Sequence, residues 1–260
     1  MKIGIIGMGY VGTAMKQLLL KNHQVVTKDL DYGEDFDGCE LVIVCVPTPT
    51  NQDGSCDISI VDEVISGVDC DDVLIRSTVP PGTCLFLSEK YRKDICFCPE
   101  YIGESSYHVP EDQGYPHTTD MSKSPFMIFG GMKFLTLKMV QLFSPIMGPY
   151  CKMCRTDSTT AELTKYMENC FFAVKNAFCN DFYNIAKLCN VDYEDLRELW
   201  LADKRIDPCH SMVFVESRGF GGKCLPKDIL AMVTHAKQLG HTATILEAAL
   251  QFSQSIRVTS

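Results

Sequence analysis

The sequence contains no apolar run of the roughly 18 to 20 residues that a membrane-spanning helix needs. It lacks the charged head, apolar stretch and small-residue cleavage site of a secretory leader, because Met1-Lys2-Ile3-Gly4-Ile5-Ile6-Gly7 runs straight into a glycine-rich turn. It has no Asn-x-Ser/Thr glycosylation acceptor. These absences set the expectation of a cytoplasmic chain without a membrane partner. Its 14 cysteines are then reduced thiols, mostly small core hydrophobes, and not a disulfide framework. Cys151-x-x-Cys154 has no second pair at zinc-ribbon spacing, so no metal is expected. Positive charge is scarce as well: 24 Lys plus Arg stand against 33 Asp plus Glu, a net charge of −9. That balance argues against a nucleic-acid partner or an anionic membrane surface, and leaves room for a local basic pocket around one phosphorylated ligand. Solenoid-length repeats and low-complexity stretches are also missing.

What remains is ordinary globular composition: 260 residues, 46% hydrophobic and 22% charged. Short apolar runs alternate with helical patterns through the first half. Lys2 to Ile6, Gln24 to Lys28, Leu41 to Val46, Val73 to Ser77, Ile95 to Cys98 and Phe126 to Phe129 read as strands. Tyr10 to Lys21, Ile58 to Val68, the stretch opened by Pro80-Pro81-Gly82, and Lys133 to Phe143 read as helices. This alternation predicts an α/β class: right-handed βαβ units building a Rossmann-type, doubly wound parallel sheet. The texture changes near residue 157. No proline or glycine appears from there until Pro208, and Thr160 to Leu188 reads as one long, mostly apolar helix that must be covered. Helical patterns follow at Tyr193 to Leu201, Lys227 to Leu239 and Thr244 to Ile256. The expected organisation is a dinucleotide-type domain over 1–155 and a helical domain over 156–260.

Three segments carry chemistry. Gly7-Met8-Gly9-Tyr10-Val11-Gly12 matches G-x-G-x-x-G between a strand and a helix. Gly7 would permit a tight turn, Gly9 a close approach of a pyrophosphate to the helix N-terminus, and Gly12 close helix–strand packing. Asp29 ends the second strand, where an acid can bond the adenine ribose 2′-hydroxyl. That favours NAD over NADP, with neighbouring Lys28 as the counter-indication. The alternative is a βαβ turn whose glycines serve packing alone. The second segment, Gly219-Phe220-Gly221-Gly222-Lys223-Cys224-Leu225-Pro226-Lys227-Asp228, can present a thiol on a freed backbone, with Lys223 and Lys227 favouring the thiolate. It is equally compatible with a glycine-rich connector, and a P-loop is excluded by Ser217 and Cys224. In the third, Glu162, Lys165 and Asn169 share a helix face at i, i+3 and i+7. That face either binds a substrate hydroxyl or oxyanion or is a solvated stripe with an ion pair.

Together with Val46-Pro47-Thr48-Pro49, Ser77-Thr78-Val79-Pro80-Pro81-Gly82-Thr83 and Pro99-Glu100-Tyr101 followed by Glu104, these segments resemble the UDP-glucose and GDP-mannose dehydrogenase family. The matches keep their order over nearly the whole chain. The resemblance implies two NAD-dependent hydride transfers that turn the C6 alcohol of a nucleotide sugar, UDP-glucose first among them, into a carboxylate. It implies that Cys224 forms a thiohemiacetal and then a thioester, and that Glu100 or Glu104 activates the hydrolytic water. Lys165 and Asn169 would stabilise charge on the C6 oxygen, and Asp228 with a water would assist proton transfer. Gly7, Gly9, Tyr10, Val11, Gly12, Asp29, Pro47, Thr48, Thr78 and Lys227 would lie at the cofactor, with Thr78 at its junction with substrate. Glu104, Lys165, Asn169, Gly221 and Arg205 would meet the sugar nucleotide, Arg205 across the interface of a homodimer built on the long helix. Family members continue into a second α/β domain, so the expectation for this sequence is a short form without the UDP-binding domain, with three explanations open: a separate chain that supplies it, an artificial boundary of the sequence, or a true loss. Tyr101 stands where phenylalanine is more usual. Two competitors remain at this stage. A β-hydroxyacid dehydrogenase would share Lys165-x-x-x-Asn169 but has no use for Cys224. A non-catalytic NAD-binding subunit has no need to keep Cys224, Lys165, Asn169, Glu100 and Asp228 together.

Overall fold

The computed structural model describes residues 1–29, 32–33, 35–102 and 120–258. The chain divides into two compact units, Met1–Pro49 with Asp57–Lys165, and Thr50–Cys56 with Tyr166–Ser260.

The first unit is a sheet with helices on both faces. Its strands are β1 (Lys2–Ile6), β2 (Gln24–Asp29), β3 (Tyr32–Gly33), β4 (Leu41–Val44), β5 (Asp72–Ile75), β6 (Asp94–Phe97), β7 (Phe126–Gly130) and β8 (Lys152–Thr156). They lie in the order β3-β2-β1-β4-β5-β6-β7-β8. β2, β1, β4, β5 and β6 are mutually parallel, as the alternating pattern requires. The parallel run is broken twice, because β3 pairs antiparallel with β2 and β7 antiparallel with β6. β8 then continues parallel to β7.

Period-two alternation sends successive side chains into two different cores. Ile3, Ile5, Leu41, Ile43, Leu74 and Cys96 face α1 (Tyr10–Leu19) and α4 (Lys133–Met147). Val42, Val44, Val73, Ile75, Ile95 and Phe97 face α2 (Ser59–Gly67) and α3 (Thr83–Tyr91). The central strands therefore read as continuous apolar runs, since neither face meets water. Each such side chain contributes roughly 1.5–3 kcal/mol by leaving water, so a charge placed at Ile43 would break both strand and core.

The second unit is helical. It takes in most of α5 (Ser158–Leu188), with α6 (Tyr193–Leu201), α7 (Leu225–Gln238) and α8 (Thr244–Val258). Asp157 caps α5 by accepting from Thr160 N–H at 2.8 Å. The helix stops where Asn190 turns left-handed at φ 55° and Val191 N–H reaches back to Ala186 O at 2.9 Å. Asp192 then caps α6. Cys170, Ala173, Ala177, Phe220, Ile229 and Ala249 form this unit's core. The small residues on α5 allow α7 and α8 to approach closely. Among the described residues, no helix is long and apolar enough to cross a membrane.

Candidate active site

In the first unit the strand order reverses on either side of β1, and the turn after β1 lies at that switch point. Gly7 has φ +89°, and a Cβ there would sit 2.6 Å from the Cys45 carbonyl. A Cβ on Gly12 would lie 1.9 Å from Gly7 O, so these two glycines are demanded by the fold. Gly9 differs: an added Cβ would meet nothing within 4 Å. It precedes α1, whose N-terminus has no side-chain cap and no acidic residue in its first turn. An open groove lined by Gly9, Tyr10, Thr13, Ala14 and Gln17 lies beside it. An exposed positive helix end beside open space fits the pyrophosphate of a dinucleotide. Asp29 closes β2 in register with Tyr32.

The loops after β4 and β5 are tied together. Thr48 Oγ1 donates to Thr78 O at 2.8 Å, and Ser77 Oγ donates to Val46 O at 2.6 Å. Pro47 follows the end of β4 and Thr48 is buried, so this pair of loops is a fixed edge beside the glycine turn.

The predicted face of α5 is buried, not solvated: Glu162, Lys165 and Asn169 are 0%, 7% and 6% exposed. The solvated-stripe alternative is thereby removed. Glu162 accepts from Gly82 N–H at 2.6 Å and Cys84 N–H at 2.8 Å, capping α3 from 80 residues away. Burial pushes its carboxyl above the usual range, opposed by the hydrogen bonds from Cys84 and Gly82. Lys165 places its ammonium 4.7 Å from the centroid of the Tyr101 ring, a cation–π contact. The Glu100 carboxylate accepts from Ile102 N–H. Glu104 lies outside the described residues. A buried cation outside the sequence motifs, Arg76, donates to Cys98 Sγ at 2.7 Å beside Glu100 and Cys45. Burial raises the Cys45 thiol to about 12. The sequence signal for Arg76 was an arginine at the end of an apolar strand, directly before Ser77-Thr78.

In the second unit, Asn169 Nδ2 donates to Asp228 Oδ2 at 2.6 Å and Lys227 Nζ binds Asp228 Oδ1 at 2.6 Å. Asp228 is 1% exposed, so its charge is balanced inside the protein by these donors. The Lys227 ammonium is committed to this pair. Cys224 is exposed, immediately before α7, and its carbonyl accepts from Asp228 N–H at 2.9 Å. Gly221 lies against the Arg257 guanidinium. Arg205 is not brought to this cluster: its guanidinium, 88% exposed, pairs with Asp203 at 2.5 Å.

Residues 159–255 match the central domain of the UDP-glucose/GDP-mannose dehydrogenase family, and residues 14–111 match that family's NAD binding domain. A UDP-glucose 6-dehydrogenase of Rickettsia bellii is 32% identical over 232 residues, covering 85% of this chain and 50% of the relative. One from Pseudomonas aeruginosa is 29% identical over 235 residues, covering 83% and 49%. The chain thus spans about half the length of the curated relatives it matches. A UDP-glucose dehydrogenase of Pyrobaculum islandicum shares the fold with a TM-score of 0.82 at 22% identity, over 98% of this chain and 68% of that one. These matches favour the nucleotide-sugar reading over a β-hydroxyacid dehydrogenase.

Proposed function

The chain belongs to the UDP-glucose/GDP-mannose dehydrogenase family, and on that premise we infer that it oxidises the C6 alcohol of a nucleotide sugar, UDP-glucose, to the carboxylate. Its cofactor is NAD, which when bound accepts the hydride in each of two oxidations. The chain's residues that would hold it are Gly7, Gly9, Tyr10, Val11 and Gly12 around the pyrophosphate, Asp29 at the ribose, and Pro47, Thr48 and Thr78 along the loop edge, with Lys227 close to Asp228.

The rest of the chemistry falls to side chains. In the first oxidation the C6 hydroxyl gives up its proton through water to Asp228, while Lys165 and Asn169 hold the developing oxyanion. Cys224 Sγ then adds to the aldehyde carbon. The new C–S bond leaves a thiohemiacetal oxygen held by the same two donors, and loss of its hydride and proton gives a thioester. Glu100, or Glu104, takes a proton from water, which attacks the thioester carbon. The C–S bond breaks, the carboxylate leaves and the thiol is restored. Arg205 and Gly221 are assigned to the sugar nucleotide. What supports this reading most is exposed Cys224 one turn from a buried Asn169–Asp228 pair whose carboxylate also binds half-buried Lys227. A reduced nucleophilic thiol also suits a cytoplasmic location.

The assembly assigned to this reading is a homodimer through α5. Met167, Phe171, Phe178, Phe182 and Ile185 recur at helical spacing and are 75%, 59%, 49%, 41% and 43% exposed, an apolar stripe that a second copy would cover. Cys224→Ser tests the chemistry: the variant is expected to stop short of the acid, and full acid production by it would sink the covalent route.

A further inference from the structure

The glycines before Cys224 have a steric cause that lies on α8. A Cβ on Gly219 would sit 2.7 Å from Ser253 Oγ, and one on Gly221 would sit 2.4 Å from Arg257 Nη1. Between them, the Phe220 peptide is bonded on both sides. Its N–H donates to Ser253 Oγ at 3.1 Å, and its carbonyl accepts from Arg257 Nη1 at 2.9 Å. Ser253 is 1% exposed and Phe220 3%, with the Phe220 ring in the core beside Ile229 of α7. Ser253 and Arg257 are one helical turn apart, so a single face of α8 makes both contacts.

A run containing Gly219, Gly221 and Gly222 has more backbone freedom than one with side chains at those three positions. A nucleophile tolerates little of that freedom, since a displacement of about 1 Å can cost roughly a hundredfold in rate. Something must therefore hold the loop, and the helix-terminal thiol is only four residues from the Phe220 peptide. We propose that Ser253 and Arg257 are positioning residues that clamp the Phe220 peptide and thereby hold Cys224 at the N-terminal end of α7. The proposal rests on the reading of Cys224 as the nucleophile. The bond from Arg257 is charge-assisted, and the bond to Ser253 Oγ is buried and so not readily replaced by water. At the start of α7 the thiolate is favoured by the helix terminus, and a loop that swings away loses that advantage.

The test uses the full chain with Ser253→Ala, Arg257→Met and the double substitution. Iodoacetamide labelling is followed residue by residue by mass spectrometry across pH. Exposed Cys189 is the internal standard, and buried Cys170, in the same core as Phe220, reports loss of the fold. The expected result for the double variant is Cys224 labelling at neutral pH reduced by about threefold or more, with its midpoint moved to higher pH. Cys189 should be unchanged and Cys170 still protected, and Arg257→Lys should restore part of the rate. Labelling of Cys224 at or above the wild-type rate would overturn the clamp, as would a loss confined to variants that also expose Cys170. Failure of the nucleophile reading is separately visible, because acid production by Cys224→Ser would remove that role without altering the labelling result.

Discussion

Asn169 and Asp228 are joined by a 2.6 Å hydrogen bond between two buried side chains, one on α5 and the other in the first turn of α7. Lys227 occupies the second carboxylate oxygen. With Nδ2 directed at Asp228, Asn169 has its other amide hydrogen and its Oδ1 left to offer a ligand. The bond therefore orients the amide as well as joining two helices.

Removing the acceptor should be felt twice. Asp228→Ala leaves a buried amide without its partner, and is expected to lower stability by about 1–3 kcal/mol. Asp228→Asn keeps the shape and loses the charge, so it should retain more of that stability while still losing turnover. Denaturant unfolding together with product formation separates the two effects. Wild-type turnover in Asp228→Asn would remove the carboxylate from the chemistry.

The two glycines of the first turn should separate folding from binding. Gly9→Ala adds a methyl to open space at φ −72°, so its melting temperature should match wild type while NAD affinity falls about tenfold. Gly12→Ala drives the same methyl into Gly7 O and should destabilise the unit outright. Calorimetric titration with NAD and thermal melts decide it. Unchanged NAD affinity in Gly9→Ala would contradict the cradle.

Those glycines were legible in the sequence because their cause is local backbone sterics. The central strands were legible because burial on both faces leaves continuous apolar runs such as Leu41–Val44. Less visible was β8, whose Lys152 and Arg155 break the apolar pattern at the sheet edge, and β3, which is two residues long. The expected doubly wound parallel sheet is present in β2, β1, β4, β5 and β6, whereas the antiparallel pairing of β3 and β7 with their neighbours has no signature in strand composition. Glu162 was seen as part of a helix face, but its partners Gly82 and Cys84 are 80 and 78 residues away, and no local pattern announces them. The same holds for Ser253 and Arg257, which look like any polar positions on α8 until the loop is in place.

Glu162 also predicts a pH dependence. Burial lifts its carboxyl above the ordinary value of 4.5, so the folded chain keeps this proton to higher pH than the unfolded chain does. Its contribution to stability is thus fully present below about pH 4.5 and declines as pH rises through the folded value. Glu162→Gln cannot titrate. The stability of wild type relative to this variant should be greatest near pH 4 and fall to a plateau at higher pH. A difference that is flat across that window would contradict the assignment.

The stripe on α5 predicts a change of assembly without a change of fold. Met167→Glu with Phe171→Glu places two charges on exposed positions and should convert a dimer to a monomer in sedimentation experiments, with helix content retained. A wild-type chain that sediments as a monomer, or a variant that remains dimeric, would remove α5 from the interface.

The most direct measurement is the stoichiometry of NADH formed per UDP-glucose consumed by the purified chain, read by absorbance alongside the sugar acid produced. The account predicts two NADH and one carboxylate per sugar, since an alcohol becomes an acid by loss of four electrons. One NADH per sugar with an aldehyde as product, or no NADH from a chain that binds NAD, would contradict it.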